Sequence, residues 1–127
     1  PIPTDILLPA PGQGALGLQC RESDAATIAV LTALGHAPTS AAVRAERQAL
    51  RDLEGGCRLP VAALATPRAG GALHLTAAVA APDGSTILRD DATGPASGAE
   101  ALGAAVAARL LAAGAADLLR TPVGALP

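Results

Sequence analysis

Not one phenylalanine, tyrosine, tryptophan or methionine occurs among the 127 residues, although half of them are hydrophobic. Any core must therefore be assembled from Leu, Val, Ile and a great many Ala. Such a core packs close but buries little area per residue, and burial contributes only about 25 cal/mol per Å². The length suits one modest domain with a tail, so a single core of modest stability is expected for the domain standing alone.

The formal charge is −2 and every basic residue is Arg. No basic patch marks a nucleic-acid partner. No apolar run approaches the roughly 20 residues that span a bilayer, and the first residues lack the charged and apolar regions of a secretion signal. A cytoplasmic protein without membrane contact is the expectation, and Cys20 and Cys57 are then expected as free thiols. The chain opens on Pro1-Ile2-Pro3 without an initiator Met, as a piece of something longer would.

Residues 1–14 hold four prolines and two glycines, which suits a connector. Within and beyond it, Gly12-Gln13-Gly14-Ala15-Leu16-Gly17 matches a dinucleotide-binding fingerprint letter for letter. That fingerprint has meaning only between a strand and a helix whose N-terminus holds a pyrophosphate. Here Pro9 and Pro11 precede it, and Leu16, Leu18 and Cys20 alternate with Gly17 and Gln19 as in a strand. Nucleotide binding is not expected.

Asp24 to Leu34 reads as a helix capped by Ser23 or Asp24, with Ile28, Leu31 and Leu34 on one face and Gly35 as its stop. Pro38 to Glu54 reads as a longer helix capped by Thr39 or Ser40, with an apolar stripe of Val43, Leu50 and Leu53 and Gly55 at its C-terminal end. Glu46 and Arg47 fall on or beside that stripe, either as an ion pair at the edge of the core or with Arg47 aimed at a partner domain. Val61–Thr66, Leu73–Ala80 and Ser85–Thr93 read as strands joined by the turns at Gly70-Gly71 and Pro82-Asp83-Gly84. In the second of them Leu73, Leu75, Ala77 and Val79 alternate against His74, Thr76 and Ala78, with His74 expected in solvent. Ser97 and Glu100 form a candidate capping box for a helix over 99–113 through Leu102, Val106, Leu110 and Leu111. A short turn from Ala115 to Arg120 follows. The fold expected is α+β: a small three-stranded antiparallel sheet with helices packed on one face. Residues 1–22 are expected as a connector and strand belonging to an N-terminal domain, 23–120 as the domain itself and 121–127 as a tail.

No Ser/His/Asp set, metal cluster, phosphate loop in proper context or carboxylate pair is evident. The one chemical candidate is Cys57, in Leu53-Glu54-Gly55-Gly56-Cys57-Arg58. A thiol acts as thiolate, and its free pKa of about 8.5 leaves little ionised at neutral pH. The end of the preceding helix disfavours the thiolate while Arg58 and Arg51 favour it, so the signs compete. Gly55 and Gly56 remove bulk beside the sulfur, as a flat tethered group would require. On the residues alone, a small buried Cys with no chemistry is the competing reading.

The order Pro11-Gly12-Gln13-Gly14, Glu46-Arg47, Glu54-Gly55-Gly56-Cys57 and Ala81-Pro82-Asp83-Gly84 closely resembles the C-terminal part of the porphobilinogen deaminases, also called hydroxymethylbilane synthases, over nearly the whole chain. The resemblance implies an enzyme of heme and tetrapyrrole biosynthesis that condenses four porphobilinogen molecules head to tail with release of ammonia. It implies that Cys57 carries a dipyrromethane cofactor through a thioether, as an anchor and not as the turnover nucleophile. Gln13 and Gly14 match a loop near the family's cofactor cleft, and Arg47 a family arginine for which an interdomain role with Glu46 is the expectation. The family's catalytic Asp and most of its substrate-binding basic residues belong to N-terminal domains, the partners this chain would need. No catalytic residue is assigned here, Asp5, Asp24 and Asp52 included, and the chain alone is expected to be inactive. The full-length family is expected to be monomeric. The alternative is a non-enzymatic α+β domain that binds a ligand or protein with Cys57 unmodified. A redox role ranks last because no resolving Cys lies near it.

Overall fold

The computed structural model describes residues 2–53 and 60–120. Four helices accompany one sheet among the described residues: α1 (Ala25–Ala33), α2 (Ala37–Asp52), β1 (Val61–Arg68), β2 (Ala72–Ala80), β3 (Ile87–Pro95), α3 (Ala99–Ala112) and α4 (Ala115–Arg120). The strands form an antiparallel meander in the order β1-β2-β3, the α+β architecture expected.

The sheet's layering follows from the alternation in β2. Leu73, Leu75, Ala77 and Val79 are fully buried. Registration places them beside Pro67, Ala65, Ala63 and Val61 on one strand and Gly94, Ala92, Asp90 and Leu88 on the other. This face packs against α2 and α3, where Leu53, Leu102, Val106 and Leu110 complete the core. The opposite face carries Ala62, Leu64, Thr66, His74, Thr76, Ala78, Arg89, Asp91 and Thr93. His74 is less solvated than expected: its side chain is 26 % exposed, and its ring contacts Thr93 Oγ1 at 3.0 Å and Thr76 Oγ1 at 3.3 Å.

The core is closed by small residues. The buried face of α2 is Ala41, Ala42, Ala45, Glu46 and Ala49, so the helix is rotated from the expected stripe and Val43 and Leu50 are only half-buried. The reason stands opposite. Gly103 of α3 comes so near that an added Cβ would lie within contact of the Ala45 carbonyl, 2.9 Å from Gln48 Cβ and 3.1 Å from the Ala49 nitrogen. Backbones at that separation admit alanine at the interface and exclude leucine.

Three local expectations change. α2 begins at Ala37 because Pro38 fits the first turn, where its missing N–H costs nothing. Its cap is therefore His36, whose Nδ1 accepts the Thr39 N–H at 3.4 Å and contacts Thr39 Oγ1 at 2.8 Å, and not Thr39 or Ser40. The capping box at Ser97 does not form, since residues 96–98 make a 3₁₀ turn and Glu100 reaches Arg44 at 3.3 Å instead. The segment around Leu16 and Leu18 forms no strand: no described chain pairs with it, and an isolated strand lacks the ladder bonds that define it. Leu16 is 99 % exposed. α1, capped by Asp24 as expected, buries none of its residues.

Candidate functional site

The end of α2 sets the position of the sequence-designated thiol. Leu53 is fully buried after the last turn, and the chain is fixed again at Pro60, whose carbonyl accepts the Ala80 N–H at 3.0 Å. Cys57, with Gly55 and Gly56, falls in the stretch between, outside the described residues. Beside Ala80 the chain turns through Pro82-Asp83-Gly84, closed by the Ala81 N–H on the Thr86 carbonyl at 2.8 Å. The Ser85 hydroxyl and N–H donate to Asp83 Oδ1 at 2.7 and 3.0 Å and hold its carboxyl below the usual carboxylate range. The flanks of the Cys57 motif and the Asp83 turn therefore share one end of the sheet.

Along the outer edge of β1 lies the second sequence-designated group. Glu46, 5 % exposed, is the buried charged residue among those described. Its Oε1 accepts the Ala65 N–H at 2.8 Å and its Oε2 the Gly12 N–H at 2.7 Å. Two residues back along the strand, the Ala63 N–H donates to the Pro9 carbonyl at 3.1 Å. Glu46 thus makes no ion pair with Arg47. Arg47 is exposed one residue on, without an ionic partner among the described residues. Gln13 and Gly14 are exposed immediately after the bound Gly12, and an added Cβ at Gly14 would meet nothing within 4 Å. The structure brings Glu46 and the Gly12 loop together and leaves Gln13, Gly14 and Arg47 open at the surface. Asp24 and Asp52, denied a catalytic role above, are engaged structurally: one caps α1 and the other accepts the Gln48 side-chain N–H at 2.8 Å.

Two features had no signal in the sequence. Arg89, on the open face of β3, donates to the carbonyls of Asp5 at 2.8 Å and Thr4 at 3.2 Å, and so fixes the start of the connector. At the hairpin end of the sheet, a groove of about 500 Å³ is bordered by Pro38, Arg44, Arg68, Leu73 and Ser97. An eight-residue strand spans roughly 25 Å, so this groove lies the length of β1 from the flanks of Cys57. Among the described residues no three His, Cys, Asp or Glu side chains gather as a metal site, and no single helix is long and apolar enough to cross a membrane.

Residues 40–112 match the family model described as porphobilinogen deaminase, C-terminal domain. The chain belongs to the porphobilinogen deaminase family. Proteins named porphobilinogen deaminase resemble it beyond that span. That of Desulforudis audaxviator is 51 % identical over 118 residues, 93 % of this chain and 38 % of its own length. Those of Synechococcus elongatus and Moorella thermoacetica are each 50 % identical, over 93 % and 94 % of the chain and 37 % and 38 % of their own lengths. The chain therefore spans under two fifths of these porphobilinogen deaminases. The sheet, α3 and α2 beyond its first turn fall within the matched span, while the connector and α1 precede it.

Proposed function

We propose that this chain is the cofactor-bearing C-terminal part of a porphobilinogen deaminase, and that the whole protein condenses four porphobilinogen molecules into hydroxymethylbilane. The observation that carries this reading is the family match over residues 40–112, with the thiol of Glu54-Gly55-Gly56-Cys57 inside it. Each condensation breaks the aminomethyl C–N bond of one porphobilinogen, releases ammonia, and joins its methylene carbon to the free α-carbon of the preceding ring, which gives up a proton. One water then cleaves the finished chain free, its OH going to the first methylene and its H to the ring left behind.

The residues present suit a dipyrromethane held by a thioether. An anchor needs a thiol on a short connection between fixed elements, and the connection here runs from a fully buried Leu53 to a Pro60 hydrogen-bonded to β2. When bound, the group supplies the terminal pyrrole on which the new chain is built. Cys57 would hold it through Sγ, with Gly55 and Gly56 leaving room beside the sulfur. The backbone N–H of the exposed Gly14 would donate to a pyrrole carboxylate, beside the exposed Gln13 whose own N–H turns back to the Ala10 carbonyl at 3.3 Å, and the exposed Arg47 would offer its guanidinium to an N-terminal domain. The acid–base residue and most basic residues that bind substrate would come from those domains. A cytoplasmic location accords with this role.

Intact mass of the purified full-length protein tests the reading, beside Cys57→Ser and with Ehrlich's reagent as the pyrrole stain. An adduct of two linked pyrroles on the native protein alone is expected. A thiol that stays bare in the full-length protein after incubation with porphobilinogen would overturn it.

A further inference from the structure

The connector is bound to the domain at three separate places. Arg89 on β3 holds the carbonyls of Thr4 and Asp5, the Ala63 N–H on β1 holds that of Pro9, and Glu46 on α2 holds the N–H of Gly12. Leu8 between them is 9 % exposed. After Gly12 the anchoring to other elements stops: Gln13, Gly14, Leu16 and Leu18 are exposed, and the backbone hydrogen bonds that follow are local, from the Gln13 N–H back to the Ala10 carbonyl at 3.3 Å and from the Asp24 N–H to the Arg21 carbonyl at 3.1 Å.

Of the three anchors, Glu46 has the strongest chemistry. A buried carboxylate keeps its charge cheaply only when its oxygens are met by donors, and hydrogen bonds to an ionised acceptor are about twice as strong as neutral ones. Here each oxygen takes one backbone N–H, and among the described residues no other side chain joins the connector to β1. Gly12 itself has φ +80°, a conformation that glycine adopts without strain and that redirects the chain just after the bound N–H. Gln13 and Gly14 follow at once, the first with its N–H on the Ala10 carbonyl at 3.3 Å, so the carboxylate fixes where the exposed loop begins.

We propose that Glu46 is a positioning residue: its carboxylate clamps the Gly12 loop onto β1 and α2, so that Gln13 and Gly14 are held in register with the two elements that flank Cys57. Residues 4–12 then belong mechanically to the cofactor-bearing domain, and any swing between this domain and the rest of the protein is taken up outside them, before residue 4 or within residues 13–23. The clamp stands on geometry alone. Its consequence for turnover rests on the function proposed above.

The test uses the full-length protein and begins with the wild type, where no variant can misfold. Amide exchange read by NMR should show Gly12 and Ala65 protected at least about 100-fold more than Gly14. In Glu46→Gln one oxygen becomes an NH₂ that cannot accept, and in Glu46→Ala both acceptors are gone. Protection at Gly12 should fall by about tenfold or more in the first and vanish in the second, while Leu75 and Ala77 stay protected. With porphobilinogen, Glu46→Gln should keep one dipyrromethane per chain by intact mass but lower kcat/KM roughly tenfold through misplaced contacts. Val106→Ala, a core truncation remote from the loop, serves as the control: it should lower Tm and leave Gly12 protection and kcat/KM at 25 °C unchanged. Three results would each overturn the proposal: Gly12 exchanging as fast as Gly14 in the wild type, Glu46→Gln preserving both Gly12 protection and kcat/KM, or Val106→Ala reproducing the loss. A wild type that makes no hydroxymethylbilane would refute the activity, and the exchange experiment would then decide the clamp by itself.

Discussion

Replacing Gly103 by Ala sets two effects of opposite sign against each other. In an isolated helix the change would stabilise α3 by about 1 kcal/mol, because alanine has the highest helix propensity and glycine nearly the lowest. In this fold the new methyl group would enter the contact with α2, meeting the Ala45 carbonyl, Gln48 Cβ at 2.9 Å and the Ala49 nitrogen at 3.1 Å. Two of those three atoms are backbone, so no rotamer change relieves the clash and the helices have to separate. Overpacking of this kind costs about 1–3 kcal/mol, and the backbone obstruction puts it at the upper end. The net expectation is a loss of about 2 kcal/mol, which for a domain of this size lowers Tm by roughly 10 °C. Thermal unfolding followed by circular dichroism at 222 nm measures it. The exposed substitution Ala108→Gly calibrates the propensity term in the same helix, with an expected loss of about 1 kcal/mol. An unchanged or raised Tm in Gly103→Ala would show that α2 and α3 part at little cost, and would refute the account of the core as closed by backbone approach.

Leu75 is fully buried at the centre of β2, so Leu75→Ala should cost about 3 kcal/mol in urea unfolding, with an unchanged m-value. Asp24 accepts the Thr27 N–H and then its hydroxyl, which together lower its carboxyl below the ordinary aspartate value of about 3.9. Its contribution to α1 is thus complete above that value and is lost as pH falls through the lower folded one. NMR should show Thr27 amide protection falling with pH in the wild type and holding flat in Asp24→Asn, which still caps but does not titrate there. Arg109 reaches Asp90 at 2.6 Å and the Asp91 carbonyl at 3.1 Å, but its side chain is 48 % exposed. Arg109→Ala should therefore cost no more than about 1 kcal/mol, and the loss should shrink in 0.5 M salt.

Where one residue's chemistry decided its environment, the sequence could be read directly. The alternation from Leu73 to Val79 gave both the strand and its inward face, and the Gly70-Gly71 and Asp83-Gly84 turns bounded the sheet. The α+β order followed from those signals, and the family from the motif around Cys57. Where the environment is set by a distant element, the sequence was mute. The buried face of α2 could not be recognised as alanines because the partner that selects them is Gly103, more than fifty residues on. The position of Glu46 beside the apolar stripe was visible, yet its donors are backbone groups of Gly12 and Ala65, which leave no mark in side-chain identity. Leu16 and Leu18 alternate as a strand would, but alternation describes a face and not a partner, and the described chain offers none.

A meander has two unpaired edges, and an edge with free N–H groups is a template for another chain's strand. β1 is apolar over Val61-Ala62-Ala63-Leu64-Ala65, the composition that makes such pairing favourable. Its Ala63 and Ala65 donors are already taken by Pro9 and Glu46. The buried charge is therefore also a gatekeeper against aggregation. A chain shortened to start at residue 40 would keep Glu46 but lose Pro9 and Gly12, leaving the Ala63 donor open beside a half-satisfied carboxylate. Such a chain would associate edge to edge where the longer one stays apart.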